Sequence, residues 1–336
     1  MKKFVNSLII AGVILGSTVS FAAPPSWYTE EQKDTASAFY GVGEGETSEE
    51  ATKAALNDIA SKIAVTVQSK YKSEQKLNNA EYSNIAENTI VANVKKMKFN
   101  NYQVAKKTSS GDTYYALVKV DRMLLADEKT TELDSAAQKL EFEYSEAMQS
   151  SELERLKKLI VMEDEISAMN EKTFLLKSIS PSSDASKYVK LYDKLTSAFV
   201  KTKSAISINI AAQNDIAKNY VKVFAKKISA KGLKVGGGKA SGTLLLSATA
   251  KDKKVESTNE AISKASFAAV ELTLTLKDSR GNEIASNIIR FTNNSTVSYA
   301  DALGKTQRLD KYLSENDIYN VIFSIEPKQD DNQQKE

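Results

Sequence analysis

From Asp127 to Lys203 the chain has no glycine and a single proline, Pro181. A stretch that long without helix breakers reads as helix almost throughout. Its apolar residues indicate how those helices pack. Leu133, Ala137, Leu140, Tyr144 and Ala147 recur at alternating spacings of four and three, the seam of a coiled coil. Leu153 and Leu156 fall out of phase with that seam. Ser150 and Ser151 stand at the break, and Ser151 with Glu154 has the form of a capping box. The pattern predicts a kink or two helices there, not one rod. Pro181, Ser182 and Ser183 make a turn, after which Tyr188, Tyr192, Leu195 and Phe199 form another seam. The simplest packing is a long helical hairpin, about 40 Å long if residues 152–178 are all helix. Helices with one apolar stripe each cannot enclose a globular core, so the hairpin is expected as an arm in an elongated chain.

The flanking regions mix two periodicities. In residues 23–126, Phe39 to Val42 reads as a strand, and Thr47 with Glu50 opens a helix carrying Ala51, Ala54, Ala55, Ile59 and Ile63. Val65, Val67 and Tyr71 suggest a further strand. Tyr82, Ile85, Ile90, Val91, Val94 and Met97 suggest a second amphipathic helix. Residues 102–104 and 115–120 flank a turn at 109–112 and predict a hairpin. The expected order is β-α-β-α-β-β, an α+β module. Residues 204–326 form a second α+β domain. Its expected elements are a strand at Ile206–Ile210, a helix from about Gln213 to Ala230 stopped by Gly232, and strands at 244–246, 270–276 and 284–291. Asp278–Asn282 is the last hairpin turn, a helix runs from Ser298 to about Leu313, and Ile318–Ile325 closes as a strand. Residues 327–336 are a polar tail, expected to be disordered.

The N-terminus has the form of an export signal. Lys2 and Lys3 precede an apolar run from Phe4 to Leu15. Ser20 and Ala22 then supply small residues at −3 and −1, which places cleavage between Ala22 and Ala23. A retained anchor is disfavoured by the short apolar run and by Pro24-Pro25 behind it, and no later stretch approaches the roughly 20 apolar residues of a spanning helix. Removing residues 1–22 leaves 44 basic against 43 acidic residues. That balance carries no basic excess for nucleic acid and none for an anionic membrane.

The chain contains no Cys and no His. This excludes a Ser-His-Asp triad, thiol catalysis, disulfides, thiolate or imidazole metal sites and iron–sulfur clusters. No catalytic, cofactor or metal-ligating residue is assigned. Gly41, Gly43 and Gly45 lack the third glycine of the dinucleotide fingerprint, since position 46 is Glu, and read as a structural turn. Gly236, Gly237, Gly238 and Lys239 look like the end of a phosphate loop, but Leu233 and Ala240 break the pattern, so a flexible hairpin turn is expected. Glu163, Asp164 and Glu165 point in different directions on a helix and read as a solvated face. The aromatic pairs Trp27-Tyr28 and Tyr114-Tyr115 are expected mainly to pack, with Trp27 and Tyr28 kept as candidate binding residues.

Pro25-Ser26-Trp27-Tyr28, Tyr40-Gly41-Val42-Gly43-Glu44-Gly45, the Ser48, Ala51, Ala55, Leu56, Ile59, Ala60 series and Tyr114 to Arg122 together resemble the Lpp-twenty family of bacterial envelope lipoproteins, over about residues 24–123. The resemblance implies an exported, non-catalytic α+β module whose relatives include surface antigens and flagellar accessory proteins. It also implies envelope or surface proteins, self-assembly or flagellar components as partners, and no cofactor. Lipoprotein members need a Cys at the cleavage site, where this chain has Ala22 and Ala23, so a periplasmic or secreted protein without a lipid anchor fits better. The leading expectation is a structural or interaction protein. A small-ligand or cell-wall-binding module is the alternative, and a carboxylate-dependent hydrolase the last.

Overall fold

The computed structural model describes residues 23–77, 84–253, 258, 262 and 264–326. The expected signal segment, the polar tail and Tyr82 lie outside these residues. The chain divides into two compact units, Met1–Glu128 with Phe174–Ser183, and Lys129–Thr173 with Asp184–Glu336.

In the first unit a short helix α1 (Ser26–Thr29) precedes β1 (Ala38–Gly45), α2 (Ser48–Leu77), α3 (Asn84–Lys95) and the hairpin β2 (Gln103–Ser110) and β3 (Thr113–Asp121). The sheet is antiparallel with order β1-β3-β2. The capping box at the start of α2 is reciprocal: the Glu50 amide donates to Thr47 Oγ1 at 3.2 Å, and Glu50 Oε2 accepts from the Thr47 amide at 3.2 Å. Ala51, Ala55, Ile59, Ile63, Val67 and Tyr71 follow at four-residue spacing, and all are buried. Residues 65–71 are therefore helix and not strand, and the order of the module is β-α-α-β-β. Val67 and Tyr71 continue the buried stripe, whereas Val65 is two-thirds exposed. β-branched residues placed at helical spacing were overruled by the face they bury.

Gly41 and Gly43 do not form a turn. They lie inside β1, where α2 crosses so closely that a Cβ on Gly43 would stand 2.2 Å from the Ala55 nitrogen and 2.4 Å from the Ala51 oxygen. The glycines of the strand and the alanines of the helix are the two sides of one backbone-to-backbone contact.

The helical middle consists of α4 (Arg122–Gln149), α5 (Glu152–Ile179) and α6 (Ser186–Ala205). The first two turns of α4 and the last turns of α5 belong to the first unit. There Arg122 stacks over the Phe39 ring at 3.8 Å and donates to the Ile179 carbonyl, and Tyr71 meets Phe174 edge-on. In the second unit α4 and α5 run antiparallel. Glu132 faces Lys172 at 3.6 Å, Lys139 meets Glu165 at 2.7 Å, and Lys158 Nζ donates to the Glu146 carbonyl at 3.4 Å. These contacts step by seven residues on both helices, the heptad register of the seam. Leu133, Leu140 and Ala147 are buried on it, against an α5 stripe that includes Leu159, Met162, Ile166 and Met169. Ser150-Ser151 is thus a reversal between two helices. Among the described residues the Ser151 hydroxyl is buried without a partner and forms no capping box, while Arg155 Nη2 caps the end of α4 on the carbonyls of Met148 and Ser150. On α6, Tyr188 donates to Asp134 on α4 at 2.8 Å.

The rest of the second unit is a mixed sheet, order β5-β4-β6-β7-β8, built from β4 (Ser207–Ala212), β5 (Lys234–Val235), β6 (Gly242–Asp252), β7 (Ser266–Asp278) and β8 (Glu283–Ser295). β4 runs parallel to β5 and β6, and the remaining pairs are antiparallel. β5 and β6 flank β4 on opposite sides, so Gly236–Gly238 is a crossover and not a hairpin turn, with Gly236 and Gly237 at positive φ. One sheet face, including Leu244, Leu246, Leu272 and Leu274, buries against Leu153, Leu156 and the helices α7 (Asp215–Lys218), α8 (Val221–Ala230), α9 (Tyr299–Gly304), α10 (Gln307–Glu315) and α11 (Ile318–Phe323).

Three sequence expectations change here. The helix expected over 213–230 divides at Asn219–Tyr220, where the Tyr220 ring is fully buried and its hydroxyl donates to the Leu303 carbonyl at 3.1 Å. The helix expected from Ser298 divides at Lys305–Thr306. Residues 318–323 are helix, not strand: Asp317 caps them by accepting from the Tyr319 amide. Because Ile318, Tyr319, Val321, Ile322 and Phe323 are all buried, that helix carries no amphipathic period by which to be recognised. The Asp278 turn is as expected, with Asp278 accepting from the amides of Arg280 and Asn282.

Candidate functional site

An open apolar surface of the second unit lies along the α4–α5 pair. The heptad seam buries one stripe of each helix, and the next positions are left to solvent. Phe142 is 66% exposed and Val161 45% exposed, and with Met162 and half-buried Ile284 of β8 they floor a groove of about 500 Å³. Glu143, Glu146, Glu154 and Glu165 rim it, with Lys157 and Lys158 as the opposing charges. Both lysines are turned to backbone, Lys157 to the Ile284 carbonyl and Lys158 to that of Glu146, while Lys139 from outside the groove takes Glu165. The lining supplies carboxylates, ammonium groups and hydrocarbon, and no hydroxyl nucleophile. An apolar floor inside an acidic rim suits binding of an apolar or cationic amphipathic group.

A second recess of about 280 Å³ is lined by Glu163, Asp164, Asp317, Tyr319 and Asn320 among others. Of the three consecutive carboxylates only Glu165 diverges: Glu163 and Asp164 both line this recess, while Glu165 pairs with Lys139 on the other side. Glu163 and Asp164 are exposed, as a solvated face requires, but the Glu163 carboxyl is partly desolvated by the recess. Burial of its carboxyl, then Asp164 and Asp317, push its pKa up against the pull of Lys203 and Lys231. The Tyr319 hydroxyl is pushed up to about 12, first by burial and then by Asp317 and Glu163, and donates to the Lys231 carbonyl. Among the described residues no group of three or more carboxylates is arranged to hold a metal ion.

Trp27 and Tyr28 sit on α1 and are half-buried. Tyr28 meets Tyr115 edge-on with ring centroids 4.8 Å apart, and burial and then the Glu44 carboxylate raise its hydroxyl pKa. Tyr28 therefore packs α1 onto the sheet. The Trp27 carbonyl accepts from Gln32 Nε2 at 2.7 Å. Ala22 lies outside the described residues. Ala23 is exposed, and its carbonyl accepts from Ser110 Oγ. The groove was missed in sequence because Phe142 and Val161 stand off the seam. An exposed aromatic two positions past a buried heptad residue was the available signal.

Residues 25–121 match the model of the LPP20 lipoprotein family, so the N-terminal module is an LPP20 lipoprotein family domain, in a chain that contains no cysteine. Similar solved structures include the secreted protein HP1454 from Helicobacter pylori, 14% identical, which covers 82% of this chain and 97% of that one with a TM-score of 0.42. A minor lipoprotein from Acinetobacter baumannii is 11% identical over 35% of this chain and 84% of that one, with a TM-score of 0.22. Lipoprotein B from Nitrosomonas europaea is 18% identical over 35% and 74%, also with a TM-score of 0.22. No curated protein matches the chain at a significant level. Among the described residues no helix is long and apolar enough to cross a membrane.

Proposed function

We propose that this chain is an exported, non-catalytic interaction protein of the bacterial envelope or its exterior, and that the α4–α5 groove is a surface on which a protein partner docks. The family domain at residues 25–121 carries the reading, since LPP20 lipoproteins are envelope proteins that are generally non-catalytic. With no thiol to acylate, the protein acts without the family's lipid, in the periplasm or outside the cell. Its partners are envelope or surface proteins, further copies of itself, or flagellar components. The groove supports the protein-contact reading: an exposed Phe amid carboxylates is a costly surface to leave to water and a serviceable anchor for a cationic amphipathic segment.

Two measurements test this. Intact mass of the protein from its native host should place the mature start at Ala23, with no lipid; a retained Lys2-Lys3 segment or an added acyl mass overturns export by cleavage. A photo-crosslinking residue in place of Phe142 should form adducts with an envelope protein in fractionated cells. The groove's volume also suits a small apolar ligand. Absence of protein adducts, with such a ligand co-purifying, would favour that second reading.

A further inference from the structure

The two edges of the three-stranded sheet are treated in opposite ways. On β1 three outward backbone groups at the centre of the strand are taken by side chains: Asp34 accepts from the Tyr40 amide, Asp58 accepts from the Val42 amide, and Lys62 donates to the Tyr40 carbonyl at 2.8 Å. Asp58 and Lys62 also pair with each other at 2.9 Å, which closes that edge. The other edge is β2, and Gln103–Thr108 and Ser109 are exposed along its whole course. Among the described residues no strand pairs beyond it, and at its end the Ser110 hydroxyl donates to the Ala23 carbonyl.

Its charge is equally one-sided. Residues 88–111 hold five lysines, Lys95, Lys96, Lys98, Lys106 and Lys107, and no acid, in a protein whose mature charge is nearly balanced. All five are exposed, and none makes an ion pair among the described residues. Lys106 and Lys107 are adjacent in the strand and so point to opposite faces of the sheet. A register shift at Ala105 separates Val104 from the straight run Lys106–Ser110, which pairs continuously with β3 as far as Thr113. That run of five residues is about the length of an ordinary strand.

We propose that β2 is a strand-addition site for an acidic, extended polypeptide segment, which pairs along Lys106–Ser110 with carboxylates beside both lysines. Alternation of the ladder turns every second amide and carbonyl of β2 away from β3, so the incoming strand finds main-chain partners already aligned. Lysines on an edge, with a bulge beside them, are a device against wrong pairing. Here they act selectively. A second copy of β2 would place lysines against lysines, while an acidic strand would neutralise them. A closed β1 edge leaves one addition site per module.

The test uses the full mature chain and a synthetic decapeptide with two adjacent glutamates flanked by Thr and Val. Binding should slow amide exchange within residues 106–110, and raising salt should weaken it. Lys106→Glu with Lys107→Glu should weaken binding by about tenfold or more, since two attractions become repulsions. Lys106→Gln with Lys107→Gln should give a smaller loss, and serves if the reversed variant fails to melt at the wild-type temperature. A peptide of equal charge with proline at alternate positions should bind at least about tenfold more weakly, since it cannot donate to the edge. Equal affinity for the proline peptide, unchanged exchange at 106–110 under saturating acidic peptide, or no effect of either lysine variant would overturn the proposal.

Discussion

Replacing Gly43 with alanine puts one methyl group where β1 and α2 touch backbone to backbone. That Cβ would stand 2.2 Å from the Ala55 nitrogen, 2.4 Å from the Ala51 oxygen and 2.7 Å from the Ala54 carbonyl carbon. All three are main-chain or carbonyl atoms of a helix, so no side chain can rotate away. Ordinary contact needs about 3.4 Å, so α2 must recede by roughly 1 Å over the crossing. A gap of that size forfeits about a quarter to a half of the dispersion energy between the surfaces it separates. Those surfaces are the core of the unit: Phe39, Ile59, Ile63 and Val118 are all under 5% exposed. Overpacking in well-packed cores costs about 1–3 kcal/mol, and we expect the upper end, about 3 kcal/mol, because neither side can yield. For a unit near 100 residues that lowers the midpoint by roughly 10–20 °C. Trp27 is the chain's single tryptophan and lies in this unit, so fluorescence-detected unfolding reads it directly. Gly304→Ala, in the second unit and with nothing among the described residues within 4 Å of its added Cβ, is the control and should leave the Trp27-detected midpoint at the wild-type value. A Gly43→Ala midpoint within about 0.5 kcal/mol of that control would refute the close-contact argument.

Leu140 is 1% exposed on the heptad seam and Tyr192 is half-buried, so Leu140→Lys should destabilise the second unit by about 3–5 kcal/mol and Tyr192→Lys by clearly less, read by denaturant titration with circular dichroism. Two carboxylates should act on stability with opposite signs. Hydrogen bonds from Lys187 and then Tyr188 lower the pKa of Asp134, so its contribution is present above the ordinary carboxylate range and lost as pH falls through the depressed value; Asp134→Asn should differ from wild type at pH 7 and converge with it in acid. Glu163 has a raised pKa from burial, so its ionised form opposes folding; Glu163→Gln should stabilise the protein at pH 7, with the gain vanishing as pH falls through the raised pKa to the unfolded one. Reductants and zinc chelators should leave the unfolding midpoint unchanged, as the chain has neither Cys nor His, and a shift with either would reveal a missed site.

Much of the fold is legible in local chemistry. The helical middle follows from the absence of glycine and from the seam positions Leu133, Leu140 and Ala147. The start of α2 follows from Thr47 and Glu50, and the β7–β8 hairpin from the alternation on either side of Asp278. Each rests on a period or a cap that one segment carries by itself. The errors share a cause. Val67 and Tyr71 look like strand residues until Ile59 and Ile63 extend their stripe. Residues 318–323 look like a strand because burial on all sides removes the helical period. Gly41 and Gly43 look like a turn because their reason is Ala51 and Ala55 of a different element.

Sequence alone determined the composition limits, the helical middle, the α+β character of both flanks and the family of the first module. These depend on residue type and near-neighbour spacing, which the chain carries whether or not it is folded. Tertiary structure decided the reversal at Ser150-Ser151, the closing of the β1 edge by Asp34, Asp58 and Lys62, and the exposure of β2 with its lysines. It also decided the groove that sets Phe142 and Val161 beside Ile284, more than a hundred residues away in sequence. An exposed surface is what remains after every other element has chosen what to bury, and no local pattern records that remainder.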